Sequence, residues 1–280
     1  MIESVLKALR CPVCRGGLGA ESGALRCAAG HSFDLAKQGY ANLLTGRGPV
    51  SADVPAMVAT RAELLAAGHL EPVTTAVVGA ARAAAGVDGL VVDVGAGTGH
   101  HLAAVLDALP DHHGVALDVS KAAARFAARA HPRIGAVVAD VWRGLPLADG
   151  CADLVLDLFA PRNGAEFRRV LRVGGTLLVV TPAPDHLHEL VGPLELVRVD
   201  PDKSERLDRS LGQWFEPVAE RGHAYPLALS RTDTARLVAM GPSAWHTEPT
   251  AVAGRLAQWT EPISVTVSVE LRTYRQRSIA

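Results

Sequence analysis

Apolar positions along this chain follow three regimes. Over residues 1–48 they come in short runs with no sustained period. Thr45-Gly-Arg-Gly-Pro-Val-Ser-Ala-Asp-Val-Pro55 then has two glycines, two prolines and no pattern, which predicts a flexible connector. From Pro55, a good first-turn residue, Met57, Val58, Arg61, Leu64 and Leu65 recur at helical spacing. Gly68-His69 interrupts, and a second helix is expected from about Glu71 to Ala85. Beyond Leu90 the pattern alternates regularly. Strands are expected at Leu90–Val94, Gly114–Asp118, Ile134–Ala139, Cys151–Phe159 and Thr176–Thr181. Helices are expected at Leu102–Leu109, after Val119, at Gly164–Leu171 and around Thr234–Met240. Ser264–Leu271 alternates strictly, as an antiparallel edge strand does. The whole predicts a doubly wound α/β domain behind a small N-terminal module.

Composition narrows this picture. The chain of 280 residues, 49% apolar and 20% charged, suits one large domain or a medium one with an appendage. It has no run of eighteen apolar residues, and Met-Ile-Glu-Ser-Val-Leu-Lys7 lacks the basic start and apolar core of a signal peptide. No membrane partner is expected, and the expected location is cytoplasmic. A net charge of −1 gives the chain as a whole no signature of a nucleic-acid binder. The first 48 residues differ: six basic side chains face Glu3, Glu21 and Asp34, a local balance of +3 that leaves −4 for the rest. A basic module on a mildly acidic body fits docking to nucleic acid, with a merely solvated face as the alternative. Phe33 and Tyr40 are candidates for stacking on bases or for packing over the module's centre.

That centre follows from cysteine spacing. Cys11, Cys14, Cys27 and His31 form C-x2-C-x12-C-x3-H, two ligand pairs with Gly30 easing the second turn. Zinc takes four such donors in a tetrahedron, and a segment this poor in apolar residues needs the metal to fold. A redox C-x-x-C and unrelated cysteines are the alternatives; neither explains the second pair. Cys151, outside the module, reads as a core residue.

The loop after the first long strand carries the other chemistry. Asp93-Val-Gly-Ala-Gly-Thr-Gly99 places glycine at every second position, and His100 stands where a dinucleotide fingerprint needs its third glycine. The run resembles the first motif of class I S-adenosylmethionine (SAM)-dependent methyltransferases, against the alternative of an ordinary glycine-rich turn. That resemblance implies a Rossmann-like, mostly parallel seven-stranded sheet whose last strand is antiparallel. Asp118, at the end of the next strand, sits where a carboxylate meets ribose hydroxyls, although it is also placed to cap a helix. Asp140-Val141-Trp142 follows the third strand, where the adenine edge is contacted. Phe159-Ala-Pro-Arg-Asn163 follows the fourth, where acceptor and methyl meet.

Further motifs make the resemblance specific. Cys11-Pro-Val-Cys14, Gly30-His-Ser-Phe-Asp34, Ala36-Lys-Gln-Gly-Tyr-Ala-Asn-Leu-Leu44, Ala67-Gly-His69, Leu117-Asp-Val-Ser-Lys121 and Thr181-Pro-Ala-Pro-Asp-His186 resemble the RlmA family of 23S rRNA guanine-N1 methyltransferases over essentially the whole chain. Gly97-Thr-Gly-His-His101 and Met240-Gly-Pro-Ser-Ala-Trp-His246 are most similar to its tylosin-resistance branch. The resemblance implies SAM and Zn2+ as cofactors and a guanine in a domain II hairpin loop of 23S rRNA as substrate. It also implies a homodimer whose cleft takes the RNA. Expected cofactor contacts are Leu70, Asp93, Gly95, Gly97, Thr98, Gly99, His100, His101, Asp118, Asp140, Val141 and His186. Asp157, Asn163 and His186 are the candidates for handling the guanine proton. The expected division is a zinc-binding RNA-recognition module over 1–48, a linker with lead-in helices over 49–88 and the catalytic domain over 89–280. A small-molecule (antibiotic-tailoring) methyltransferase and an inactive RNA-binding module are the rival readings.

Overall fold

A computed structural model describes residues 2–46, 52–198, 207 and 209–278. Short pieces make up its beginning: helix α1 (Ile2–Val5), then strands β1 (Leu18–Glu21), β2 (Ala24–Cys27) and β3 (Ser32–Asp34) in a small antiparallel sheet, then β4 (Tyr40–Asn42). Part of the expected connector, residues 47–51, lies outside the described residues. Helices α2 (Pro55–Ala66) and α3 (Glu71–Ala84) fall where the periodicity puts them, each with proline in its first turn. The alternation follows as β5 (Gly89–Val94), α4 (His100–Ala108), β6 (His112–Asp118), α5 (Lys121–Ala130), β7 (Ile134–Val138), β8 (Ala152–Leu158), α6 (Gly164–Val170) and β9 (Leu171–Pro182). The C-terminal part contributes α7 (His188–Val191), β10 (Phe215–Leu229), α8 (Arg231–Ala239), α9 (Pro249–Leu256) and β11 (Ile263–Gln276).

The main sheet has the order β10-β11-β9-β8-β5-β6-β7-β4. β5 to β9 run parallel, and β11 lies antiparallel to both β9 and β10. The expected seven-stranded core is therefore present, with its antiparallel last strand. An eighth strand is the difference: β4, from the N-terminal segment, pairs in parallel with β7 through Tyr40, Ala41 and Asn42. β10 has no alternating pattern in the sequence because it is an edge strand with most side chains exposed. Pro217 and Pro226 are tolerated there for the same reason.

Packing ties the start of the chain to this sheet. Ile2, Val5, Leu9, Leu25 and Leu43 share one core cluster with Val92, Val115, Val155 and Phe167. A Cβ on Gly135 would stand 2.3 Å from Val5 Cγ2, so α1 lies against the backbone of β7. The opposite face is covered by α3, α4 and α5. Ala123, Ala124, Ala127 and Ala128 let α5 approach closely, and the hydroxyl of Ser120 caps it. Among the described residues no single helix is long and apolar enough to cross a membrane.

Candidate cofactor site and metal centre

Each loop marked by the sequence leaves the carboxyl edge of the sheet. β5 feeds Gly95–Gly99, β6 ends in Asp118, β7 leads to Asp140–Trp142, β8 to Phe159–Asn163 and β9 to the loop holding His186. The chain winds outward from β5 through β6 and β7, then returns to the other side with β8 and β9. The crevice between the loops after β5 and β8 is thus the switch point where α/β sheets bind ligands. The two loops touch there, since a Cβ on Gly95 would lie 2.5 Å from the Ala160 Cβ. Gly99 has φ 76° and fits against α5, where its Cβ would be 2.9 Å from the Ala127 Cα.

Hydrogen bonding shows what this loop does not hold. The Gly95 and Ala96 amides donate to the Leu117 carbonyl at 2.8 and 3.0 Å, and Gly99 donates to the Ala96 carbonyl at 2.9 Å. The Gly97 amide donates to Asp118 Oδ2 at 2.9 Å. A pyrophosphate cradle needs such amides turned to the ligand. Here they are engaged internally, and the site is acidic instead. Asp93 is 2% exposed, and burial together with the charge of Asp118 pushes its carboxyl up to about 8. Asp118 is also raised, chiefly by burial, against the bonds from the Ser120 and Gly97 amides that favour its charge. The buried Asp93 and the partly buried Asp118 put two carboxyls beside the glycine turn, one placed for ribose hydroxyls and the other for the amino-acid end of a nucleoside such as SAM.

The remaining candidates fall into two groups around this crevice. Leu70 and His101 are joined through Thr74, whose hydroxyl donates to the Leu70 carbonyl and lies 3.1 Å from His101 Nδ1. Burial, with His100 beside it, brings the His101 pKa down to about 4, and burial lowers that of His100 as well. Both rings are neutral at pH 7. Thr98 is buried within the glycine loop. On the other side, Asp140 accepts from the Trp142 amide at 3.0 Å and leaves the indole 66% exposed. Asn163 binds at both ends: Nδ2 donates to the Val141 carbonyl at 2.9 Å, and Oδ1 caps α6 by accepting from the Glu166 amide. Asp157 is fully buried with Arg162 Nε 3.3 Å away. His186 Nδ1 accepts from the Ser268 amide at 3.1 Å, which places the proton of its neutral ring on Nε2.

The metal candidates converge. Cys11, Cys14, Cys27 and His31 offer ligand atoms that all lie within 4.8 Å of one another. Individual separations are 3.6 Å from Cys11 Sγ to His31 Nδ1, 3.6 Å from Cys14 Sγ to Cys27 Sγ and 3.4 Å from Cys27 Sγ to His31 Nδ1. Zinc–sulfur bonds of about 2.3 Å in a tetrahedron set neighbouring ligands about 3.8 Å apart, so the cluster has the right size. Burial raises the Cys27 thiol pKa, but hydrogen bonds from His31 and Cys14 outweigh it and bring the value to about 6. Tyr40 is buried in the cluster with Leu65 and Val138, and Phe33 packs against the other cluster, which includes Cys11 and Cys27.

Residues 9–50 match the model of the RlmA N-terminal zinc ribbon, and residues 91–175 match a methyltransferase domain. The 23S rRNA (guanine(748)-N(1))-methyltransferase of Streptomyces fradiae is 50% identical over 98% of this chain and 99% of its own. A protein of Micromonospora griseorubida assigned to 23S rRNA (guanine-N(1)-)-methyltransferases is 53% identical over 98% of this chain and 99% of its own. The chain belongs to the 23S rRNA (guanine-N1)-methyltransferase family. Solved structures carry the fold alone. A methyltransferase of Bacillus halodurans aligns with TM-score 0.50 and 18% identity over 73% of this chain and 99% of its own. A chain from the complex of the Haloferax volcanii Trm112 methyltransferase activator aligns with TM-score 0.51 and 19% identity over 82% and 100%. The motifs of this methyltransferase pointed to the crevice but left out one part of it. Ala52–Val54 lies over the end of β6, held by Ser120 and Arg61. Neither periodicity nor motif marks that segment.

Proposed function

We propose that this protein transfers the methyl group of SAM to N1 of a guanine in a domain II hairpin loop of 23S rRNA. The position equivalent to guanine 748, named for the Streptomyces fradiae relative, is the first candidate. End-to-end similarity to that relative is the observation that carries the reading. Tylosin-type macrolide resistance is the cellular role that follows. The N-terminal segment, with its zinc cluster and local charge of +3, serves as the RNA-recognition unit. A homodimer would present two such units to one RNA.

A bound sulfonium supplies an activated methyl group, so the protein's task is alignment and exclusion of water. Guanine N1 carries a proton at neutral pH. The step forms an N1–carbon bond, breaks a sulfur–carbon bond and releases the N1 proton. Asp157 with Arg162, and Asn163 with the Val141 carbonyl, stiffen the loop on which the base is read. His186, with Nδ1 held by the Ser268 amide and its proton on Nε2, is the candidate for donating to guanine O6 or ordering a water that takes the N1 proton. Phe159, 46% exposed with φ 59°, and Trp142 stand beside that loop as faces for an unstacked base. Nucleoside analysis of 23S rRNA incubated with the protein and SAM tests the chemistry. One new 1-methylguanosine per RNA is expected; methylation at another base atom, or none, contradicts the reading. The small-molecule alternative has no use for the zinc module.

A further inference from the structure

Helix α2 brings a cation onto the glycine loop. Arg61 Nη1 lies 3.4 Å from the place a Gly97 Cβ would occupy, and Nη2 donates to the Met240 carbonyl at 2.8 Å. Its anionic partner is Asp53, whose Oδ2 is 2.5 Å from Nη1. Asp53 is itself anchored, because its carbonyl accepts from the Ser120 hydroxyl at 2.7 Å. The Ser120 amide in turn donates to Asp118 at 2.8 Å. A strap of residues 52–54 thus lies across the acid expected to hold the ribose, and Arg61 closes it over Gly97.

The amino-acid end of SAM carries a carboxylate as well as positive charge. Asp93 and Asp118 suit the cationic and hydroxyl parts, but the carboxylate needs a donor. The amides of Gly95, Ala96, Gly97 and Gly99 are already engaged. His100 and His101 are neutral at pH 7, and Arg162 faces the buried Asp157. Arg61 is the cation set against the glycine loop, with a planar fork that matches a carboxylate. We propose that Arg61 binds the α-carboxylate of SAM, and that Asp53 holds the guanidinium in place until the cofactor arrives. Arg61 is then a cofactor-binding residue.

The proposal rests on SAM being the cofactor and is independent of which RNA base is modified. Calorimetric titration of the full-length protein tests it with S-adenosylhomocysteine and with 5′-methylthioadenosine, which lacks the amino-acid end. Arg61→Ala and Arg61→Gln should weaken S-adenosylhomocysteine about 10- to 100-fold, as expected for losing a charged hydrogen-bonding pair. Binding of 5′-methylthioadenosine should be unchanged, which also shows that each variant is folded. Arg61→Lys, keeping the charge without the fork, should fall between. Equal losses for both ligands, or no loss for S-adenosylhomocysteine, overturn the assignment. A wild-type chain that binds neither ligand defeats the cofactor reading and the assignment together.

Discussion

With its carboxyl pushed up to about 8, Asp93 keeps its proton in the folded protein across a range where the unfolded chain has lost it. An unfolded aspartate titrates near 3.9. From about pH 4 to about pH 8 the native state therefore binds more protons, and stability falls as pH rises through that window. Asp93→Asn should remove this contribution, giving a melting temperature for the ligand-free protein that declines less between pH 5 and pH 8. Parallel curves for variant and parent would show that the carboxyl is ionised when buried. Exposed Trp142 and Phe159 yield a second expectation. Trp142→Ala and Phe159→Leu should raise KM for RNA by about 5- to 100-fold, the worth of one stacked base, while SAM affinity stays unchanged. A drop in SAM affinity instead would return Trp142 to the adenine edge. At this scale, spacing made the glycines, Asp93, Asp118 and the four metal ligands legible, because their chemistry is local. What Asp157 and Asn163 touch was not legible. Their partners, Arg162 and the Val141 carbonyl, are brought up by loop geometry that no period encodes.

Among the elements, the short ones hid most from the sequence. The lead-in helices and the long parallel strands announce themselves through sustained periodicity. β4 has three residues and belongs to the main sheet only because β7 offers an open edge. β10 has prolines and exposed side chains on the other edge, so its strand character comes from pairing with β11. Arg272, Arg275 and Arg277, at and just past the end of β11, illustrate the same limit, although Arg275 is exposed. Read as a basic cluster they fit RNA or solvent, yet Arg272 is buried against Glu220 and Glu270, and Arg277 Nε donates to the Phe215 carbonyl. Close contact between α1 and β7 supports a stability prediction. Gly135→Ala should cost about 1–3 kcal/mol through overpacking against Val5, or about 3–10 °C in melting temperature. An unchanged melting temperature would mean that α1 moves aside freely. Metal should act through the same contacts: Cys27→Ser, or removal of zinc with a strong chelator, should lower the melting temperature of the whole chain. Metal analysis should find one equivalent of zinc in the parent. Well under one equivalent, with normal melting of Cys27→Ser, would defeat the zinc assignment.

For the molecule as a whole, two chemistries share one core. A crevice lined by Asp93 and Asp118 at the carboxyl edge of the sheet suits SAM, and a basic segment carrying the four metal ligands packs on the same sheet, where we propose that it meets the RNA. Net charge of −1 hides this division, which only appears when the first 48 residues are counted separately. The α/β architecture and the cofactor were legible from the pattern and one motif. The acceptor was not; it came from resemblance over the full length, because no residue in the crevice names a nucleobase. Primer extension across a domain II hairpin transcript, treated with the protein and SAM, tests the acceptor most directly, since a methyl group on N1 blocks base pairing by the copying strand. One new SAM-dependent stop is expected beside a loop guanine, lost when that guanine is replaced by adenine. Unbroken extension through the loop, with protein that binds SAM normally, would contradict it.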